Sequence, residues 1–231
     1  MRFKHVILAI NLLALLFTGC FMGHMTTAKP VGAGKVGLTG SVGYVPMNSA
    51  LGDAFGDIDI DTTDSFGAMN LQGRLDIGLS DSVDLGFTTG VGMMLIPYWM
   101  GANAEVKYAF VNDPDSVTIA AGAGIGMNMT GFTAGGSFYI DSNIPFFPLH
   151  ISARPEYAMG SSKEVDTDGD GVNDDTESEG LFYLNLAAGL HFDISDTVRL
   201  LIEGTSFNTM SGDDQSFFKL WSFGAGVQFI L

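Results

Sequence analysis

From residue 34 onward the chain alternates between apolar and small or polar positions. In "VDLGFTTGVGMML" Val83, Leu85, Phe87, Thr89, Val91, Met93 and Leu95 share one face, and Asp84, Gly86, Thr88, Gly90 and Gly92 share the other. "MGANAEVKYAF" sets Met100, Ala102, Ala104, Val106, Tyr108 and Phe110 against Asn103, Glu105 and Lys107. "LFYLNLAAGLHF" sets Phe182, Leu184, Leu186, Ala188, Leu190 and Phe192 against Tyr183, Asn185 and His191. "VRLLIEG" sets Val198, Leu200 and Ile202 against Arg199 and Glu203. A period of two is that of a strand with two unlike faces, and helical spacing fits none of these stretches. The pattern predicts strands near 34–46, 67–79, 83–95, 99–110, 116–128, 132–140, 148–160, 180–192, 197–208 and 216–231.

The connections differ by side. "SDS" (80–82), "NDPDS" (112–116), "DSNIPFFP" (141–148) and "SDT" (195–197) are mostly tight turns of Asp, Ser and Pro, whereas 47–66 and 161–179 are long and acidic. An even number of antiparallel strands with short turns on one side and long loops on the other predicts an all-β fold, an antiparallel transmembrane β-barrel. Ten strands are expected, with eight or twelve open because the ends and residues 129–147 are weakly marked. With the N-terminus periplasmic, Tyr44, Trp99, Tyr157, Phe182 and Trp221 fall near the outer rim, and Tyr108, Phe110, Phe192 and Phe229 near the inner one. Two such girdles suit the two interfaces of a membrane. A soluble sandwich or lipocalin-like barrel also alternates, but the small second face here would cover a soluble protein poorly.

Composition narrows the class. The 231 residues include 31 Gly and 18 Phe, only 16% are charged, and the net charge is −16. No stretch after residue 20 reaches the 18 or so apolar residues of a membrane helix. So acidic a chain lacks the basic patches that nucleic-acid binding needs.

The ends carry two resemblances. "MRFKHVILAINLLALLFTGC" has a basic start at Arg2 and Lys4, then a short apolar core from Val6 to Phe17, as a signal peptide does. "LFTGC" resembles the lipobox of bacterial lipoproteins, with Phe17 where that family usually has an aliphatic residue. It implies a signal over 1–19, lipid attachment at Cys20, and a tether over 20–33 leading from the periplasmic side into a barrel over 34–231. An ordinary secretory signal with an incidental cysteine is the alternative. Cys20 is the sole cysteine, so no intrachain disulfide can form. "WSFGAGVQFIL" sets Trp221, Phe223, Ala225, Val227 and Phe229 against Ser222, Gly224, Gly226 and Gln228. It resembles the closing strand of outer-membrane β-barrels, with Leu231 where a Phe is usual. This implies the bacterial cell outer membrane as location and its lipid as partner.

The inward set includes Arg74, Asp76, Asp84, Glu105, Lys107, His150, Arg154, Glu156, Arg199 and Glu203. A ten-stranded lumen is narrow enough for side chains to fill, and mixed charges in it must pair. A salt-bridged plug is the expectation, with Glu105/Lys107 and Arg154/Glu156 as pairs two apart. A narrow pore is the alternative, because Gly86, Gly90, Gly92, Gly122, Gly124 and Gly126 leave spare volume. His150 and His191, with Ser152 and Asp193 near them in sequence, have no nucleophile motif around them, so no enzyme is expected, and an outer-membrane hydrolase is the remote alternative.

One motif remains. "DTDGDGVNDDTE" (166–177) places Asp166, Asp168, Asp170, Gly171, Val172, Asp174 and Glu177 at the first, third, fifth, sixth, seventh, ninth and twelfth places of a calcium loop. A hard cation takes six to eight oxygens, and alternate side chains of a bent loop supply them. The stretch resembles an EF-hand loop and equally a thrombospondin type 3 repeat, whose D-x-D-x-D-G-x-x-D core it matches through Asp174. Flanking strands in place of helices imply weak calcium binding within an extracellular loop over 163–179. A solvated acidic loop is the alternative. "GDIDIDTTDS" (56–65), with Asp57, Asp59, Asp61 and Asp64, is a poorer candidate without the bend glycine.

Overall fold

The computed structural model describes residues 25–46, 67–93, 97–128, 131–144, 146–159, 162–165, 175–178, 181–209 and 219–231. The strands in chain order are β1 (Val36–Pro46), β2 (Gly67–Gly78), β3 (Val83–Met93), β4 (Pro97–Asn112), β5 (Val117–Asn128), β6 (Gly131–Ser142), β7 (Leu149–Ala158), β8 (Ser162–Val165), β9 (Asp175–Ser178), β10 (Leu181–Ser195), β11 (Val198–Thr209) and β12 (Lys219–Ile230). Ten of them close into an antiparallel barrel in which sequence neighbours pair, β7 pairs with β10, and β12 returns to β1. The short β8–β9 hairpin stands outside the barrel sheet. Closure is tied at the chain's last residue, where the Val36 amide donates to Leu231 O at 3.0 Å and the Leu231 amide to Val36 O at 2.8 Å. Among the described residues no helix is long and apolar enough to cross a membrane. The chain crosses with strands.

The wall is inside out. Leu38, Val42, Leu71, Phe87, Val106, Ile125, Leu186, Ile202 and Phe223 are exposed, while Arg74, Asp76, Asp84, Glu105, Lys107, Arg199 and Glu203 are buried. An apolar exterior around a charged interior is stable only when lipid is the outer solvent, and closure of the barrel leaves no open sheet edge facing it. The expected rims are present. Tyr44, Trp99, Tyr157, Phe182 and Trp221 lie outward within two residues of the outer strand ends, and Tyr108, Phe110, Phe192 and Phe229 lie outward toward the other rim.

The alternation slips in β4. Strict alternation puts Met100 outward with Ala102 and leaves Trp99 inward, yet Met100 is 1% exposed and Trp99 41%. Gly90 pairs with Gly101 and Val91 with Trp99, so Met100 is the extra residue of a bulge. Gly101 takes φ 141°, which a side chain resists, and a Cβ there would sit 2.7 Å from Met127 O. The bulge re-aims both neighbours, which brings Trp99 to the outer girdle, where its Nε1 donates to Thr89 Oγ1 at 3.2 Å.

Candidate functional site

Nine of the ten inward charged residues are buried, and Arg154 is half-buried. They pair mainly across strands. Arg74 Nη2 lies 2.8 Å from Asp76 Oδ1 and 3.1 Å from Glu105 Oε2, and its Nη1 donates to Thr88 Oγ1 at 3.2 Å. Glu105 also accepts from Tyr139 Oη at 2.9 Å and from the Ser137 hydroxyl. Lys107 pairs with Asp84 at 3.3 Å, and Arg154 with Glu156 at 2.9 Å. The expected Arg154/Glu156 pair is therefore present, whereas Glu105 and Lys107 each take a partner from another strand. Same-face neighbours along a strand stand farther apart than residues facing each other across a pair.

Gly86, Gly122 and Gly126 do not leave the spare volume expected of them. A Cβ at Gly86 would collide with the Arg74 guanidinium, one at Gly122 with Ser137 and Glu105, and one at Gly126 with Thr133 and Ala102 O. Gly86 and Gly122 make room for the Arg74 and Glu105 side chains, which then occupy it.

The largest occupant of the lumen is the chain itself. Of the stretch read as a tether, Met25–Val31 lies inside the barrel, with Met25, Thr26, Thr27, Ala28 and Val31 buried. Gly32 at φ 97° and Gly34 at φ 71° turn the chain back into β1, with the Gly34 amide on Gly78 O at 2.9 Å. From that rim the segment rises along five wall strands. The Val31 amide donates to the Asp84 carboxylate at 3.2 Å, the Lys29 amide to Asp141 Oδ2 at 3.3 Å, and the Met25 amide to Glu203 Oε2 at 3.2 Å. In the other direction Lys107 Nζ donates to Thr27 O at 2.7 Å, and Arg199 Nη1 to Thr27 Oγ1 at 2.7 Å. Lys29 Nζ reaches Asp193 at 2.7 Å. The wall is cut back to fit: a Cβ at Gly37 would lie 2.8 Å from Val31, and one at Gly224 would strike Met25 Cε. Anionic wall groups thus take the segment's amides, and cationic ones take its oxygens.

The histidines have other partners than their sequence neighbours. His150 Nδ1 lies 2.5 Å from Asp141 Oδ1 across the β6–β7 pair, and its Nε2 is 3.8 Å from Glu203 Oε2. Asp193, two residues from His191 in the sequence, instead joins Lys29 and Arg199, the latter at 2.6 Å. His191 is buried with no hydrogen-bond partner at Nδ1 among the described residues. His150 and Asp141 form an oriented imidazole–carboxylate pair, and Glu203 links it to the docked segment.

Of the calcium-loop residues, Asp166, Asp168, Asp170, Val172 and Asp174 lie outside the described residues, as do Cys20 and the 57–64 aspartates. Glu177 falls in β9, opposite Lys163. The hairpin pairs Val165 with Asp175, so the residues bounding 166–174 are held side by side. Among the described residues, no group of three or more His, Cys, Asp or Glu is arranged to hold a metal. At the opposite face, the Asp113 carboxylate accepts from the Asp115 amide at 2.9 Å and from Ser116 Oγ at 2.8 Å. These bonds, the amide's foremost, hold its pKa below the usual aspartate range.

The closed, inside-out wall and strand layout are those of barrels of the bacterial outer membrane. No family model matches the chain, and no curated protein does. Similar solved structures include the N-terminal β-barrel domain of Pseudomonas aeruginosa OprF, at 11% identity over 87% of this chain and 99% of that one with a TM-score of 0.36. The NanC porin is 12% identical over 83% and 98%, with a TM-score of 0.47. The outer membrane protease OmpT from Escherichia coli is 8% identical over 92% and 100%, with a TM-score of 0.42.

Proposed function

We propose that this protein is a non-catalytic outer-membrane barrel with a structural or surface-interaction role, closed by its own N-terminal segment and bearing a calcium-binding acidic loop on its outer face. The observation that supports this best is Met25–Val31 bonded to Asp84, Lys107, Asp141, Arg199 and Glu203 inside an already charge-filled lumen. Such packing disfavours a free path for solutes. The calcium reading rests on the spacing of Asp166, Asp168, Asp170, Val172, Asp174 and Glu177, and the β8–β9 stem gives it support by joining the two ends of the loop. Lipid attachment at Cys20 belongs to the same proposal, and the mass of the mature chain tests it.

A narrow channel for small solutes or ions is the second reading. It is favoured by Gln72, Asn103 and Asn185, buried lumen amides with atoms lacking a hydrogen-bond partner among the described residues. Groups of this kind call for water. Planar-bilayer recording separates the two. The plugged barrel predicts silence from the intact chain and steady unit currents once Met25–Val31 is deleted. Unit currents from the intact chain would make it a channel instead.

A further inference from the structure

We infer that the β6–β7 turn is a membrane-interface anchor, with Ile144, Phe146 and Phe147 seated in the phospholipid of the periplasmic leaflet. This inference is independent of the lumen and of the calcium loop. Phe146 is 97% exposed, Phe147 60% and Ile144 49%. They are held out by a bonded turn: the Phe147 amide donates to Ile144 O at 2.9 Å, the Leu149 amide to Phe147 O at 2.8 Å, and the Asn143 amide to Ser116 O at 2.8 Å. The Asn143 side chain fixes the turn further, donating to Thr118 Oγ1 at 3.0 Å and to Asp113 O.

Two observations choose lipid as the occupant. The first is charge. The other turns on this face carry Asp81, Asp113, Asp115 and Asp196, whereas "NIPFFPL" (143–149) has no charged residue in a chain of net charge −16. A turn meant for water has no reason to differ from its neighbours in this way, and an uncharged one meets no repulsion from lipid phosphates. The second is continuity with the lipid-facing wall. The turn leaves the end of β6, whose Phe138 faces outward and packs on Phe110 with ring centroids 6.4 Å apart. From Phe138 to the strand end at Ser142 the chain descends roughly 10 Å at the usual rise and tilt. That depth carries the turn from the apolar belt into the headgroup layer, where aromatic side chains are favoured.

The test is a single tryptophan at this turn in the full barrel. Trp99 and Trp221 are replaced by Phe, and either F146W or, in the control, D115W is added. Each variant is folded into phosphatidylethanolamine/phosphatidylglycerol vesicles with brominated acyl chains, and heat-modifiable mobility confirms folding. The anchor predicts blue-shifted emission at 146, loss of acrylamide quenching and strong quenching by the bromines, with D115W remaining water-like. If F146W does not fold, F147W is read the same way. Emission at 146 as red and as acrylamide-accessible as at 115 overturns the inference. So does protection that arises only when periplasmic extract is added, because the turn is then a protein-docking surface.

Discussion

Replacing Thr27 with valine keeps the shape of the side chain and removes one hydroxyl, the acceptor for Arg199 Nη1 at 2.7 Å. Arg199 keeps Asp193 at 2.6 Å and Gln228 at 3.1 Å, so the substitution does not strand a charge. A hydrogen bond to a charged group contributes about 1.5–3 kcal/mol. Fixing each residue of the segment costs about 1–2 kcal/mol of backbone entropy, which its bonds to the wall offset, so the loss of one such bond comes straight off the preference for the docked state. The expected change is a roughly 10- to 150-fold shift toward the undocked segment, at about 1.4 kcal/mol per factor of ten. Hydrogen exchange reads it directly, because the Met25, Lys29 and Val31 amides donate to Glu203, Asp141 and Asp84. In T27V their protection falls by that factor while the amides of β3 and β11 keep theirs. Unchanged protection at all three amides refutes the account of how the segment is held. Equal loss in the strands would instead mean that the whole barrel had been weakened.

Four further outcomes are expected. Arg74→Met leaves the buried Asp76 and Glu105 carboxylates without their shared cation, and urea unfolding in vesicles should show a loss of about 3–5 kcal/mol. Gly101→Val forces a branched side chain into φ 141° against Met127 O, costs about 1–3 kcal/mol, and alters Trp99 emission as the bulge relaxes. Asp166→Ala with Asp170→Ala abolishes calcium uptake in a titration calorimeter while heat-modifiable mobility is kept; binding equal to that of the parent sinks the site. Because its hydrogen bonds favour the ionised form, Asp113 supports its turn above the ordinary aspartate pKa and loses that support as pH falls through its depressed value. An NMR titration should show this pKa moving back up in Ser116→Ala, and no movement refutes the assignment.

The barrel was legible because side-chain period and backbone period coincide: each predicted strand overlaps an observed one, and the closing strand at 219–230 pairs with β1. The phase slip at Met100 was not, since Gly101 reads like any other wall glycine until its partner across the ladder is known. The His150–Asp141 pair was hidden for a related reason. It depends on the register of β6 against β7, which alternation alone leaves free by any even number of residues. Docking of "MTTAKPV" (25–31) had no signal at all. Its small, aperiodic residues match a tether equally well, and its partners come from β3, β4, β6, β10 and β11.

The same list of partners sets an order of events. The segment precedes the first strand and leaves any synthesising or translocating machinery before it, yet its berth is incomplete until β11 has joined the sheet. Glu203 and Arg199, which hold Met25 and Thr27, belong to the penultimate strand. The earliest described residues of the chain are therefore among the last to find their place. A protease probing Met25–Val31 during assembly acts as a clock that stops only when the wall is whole.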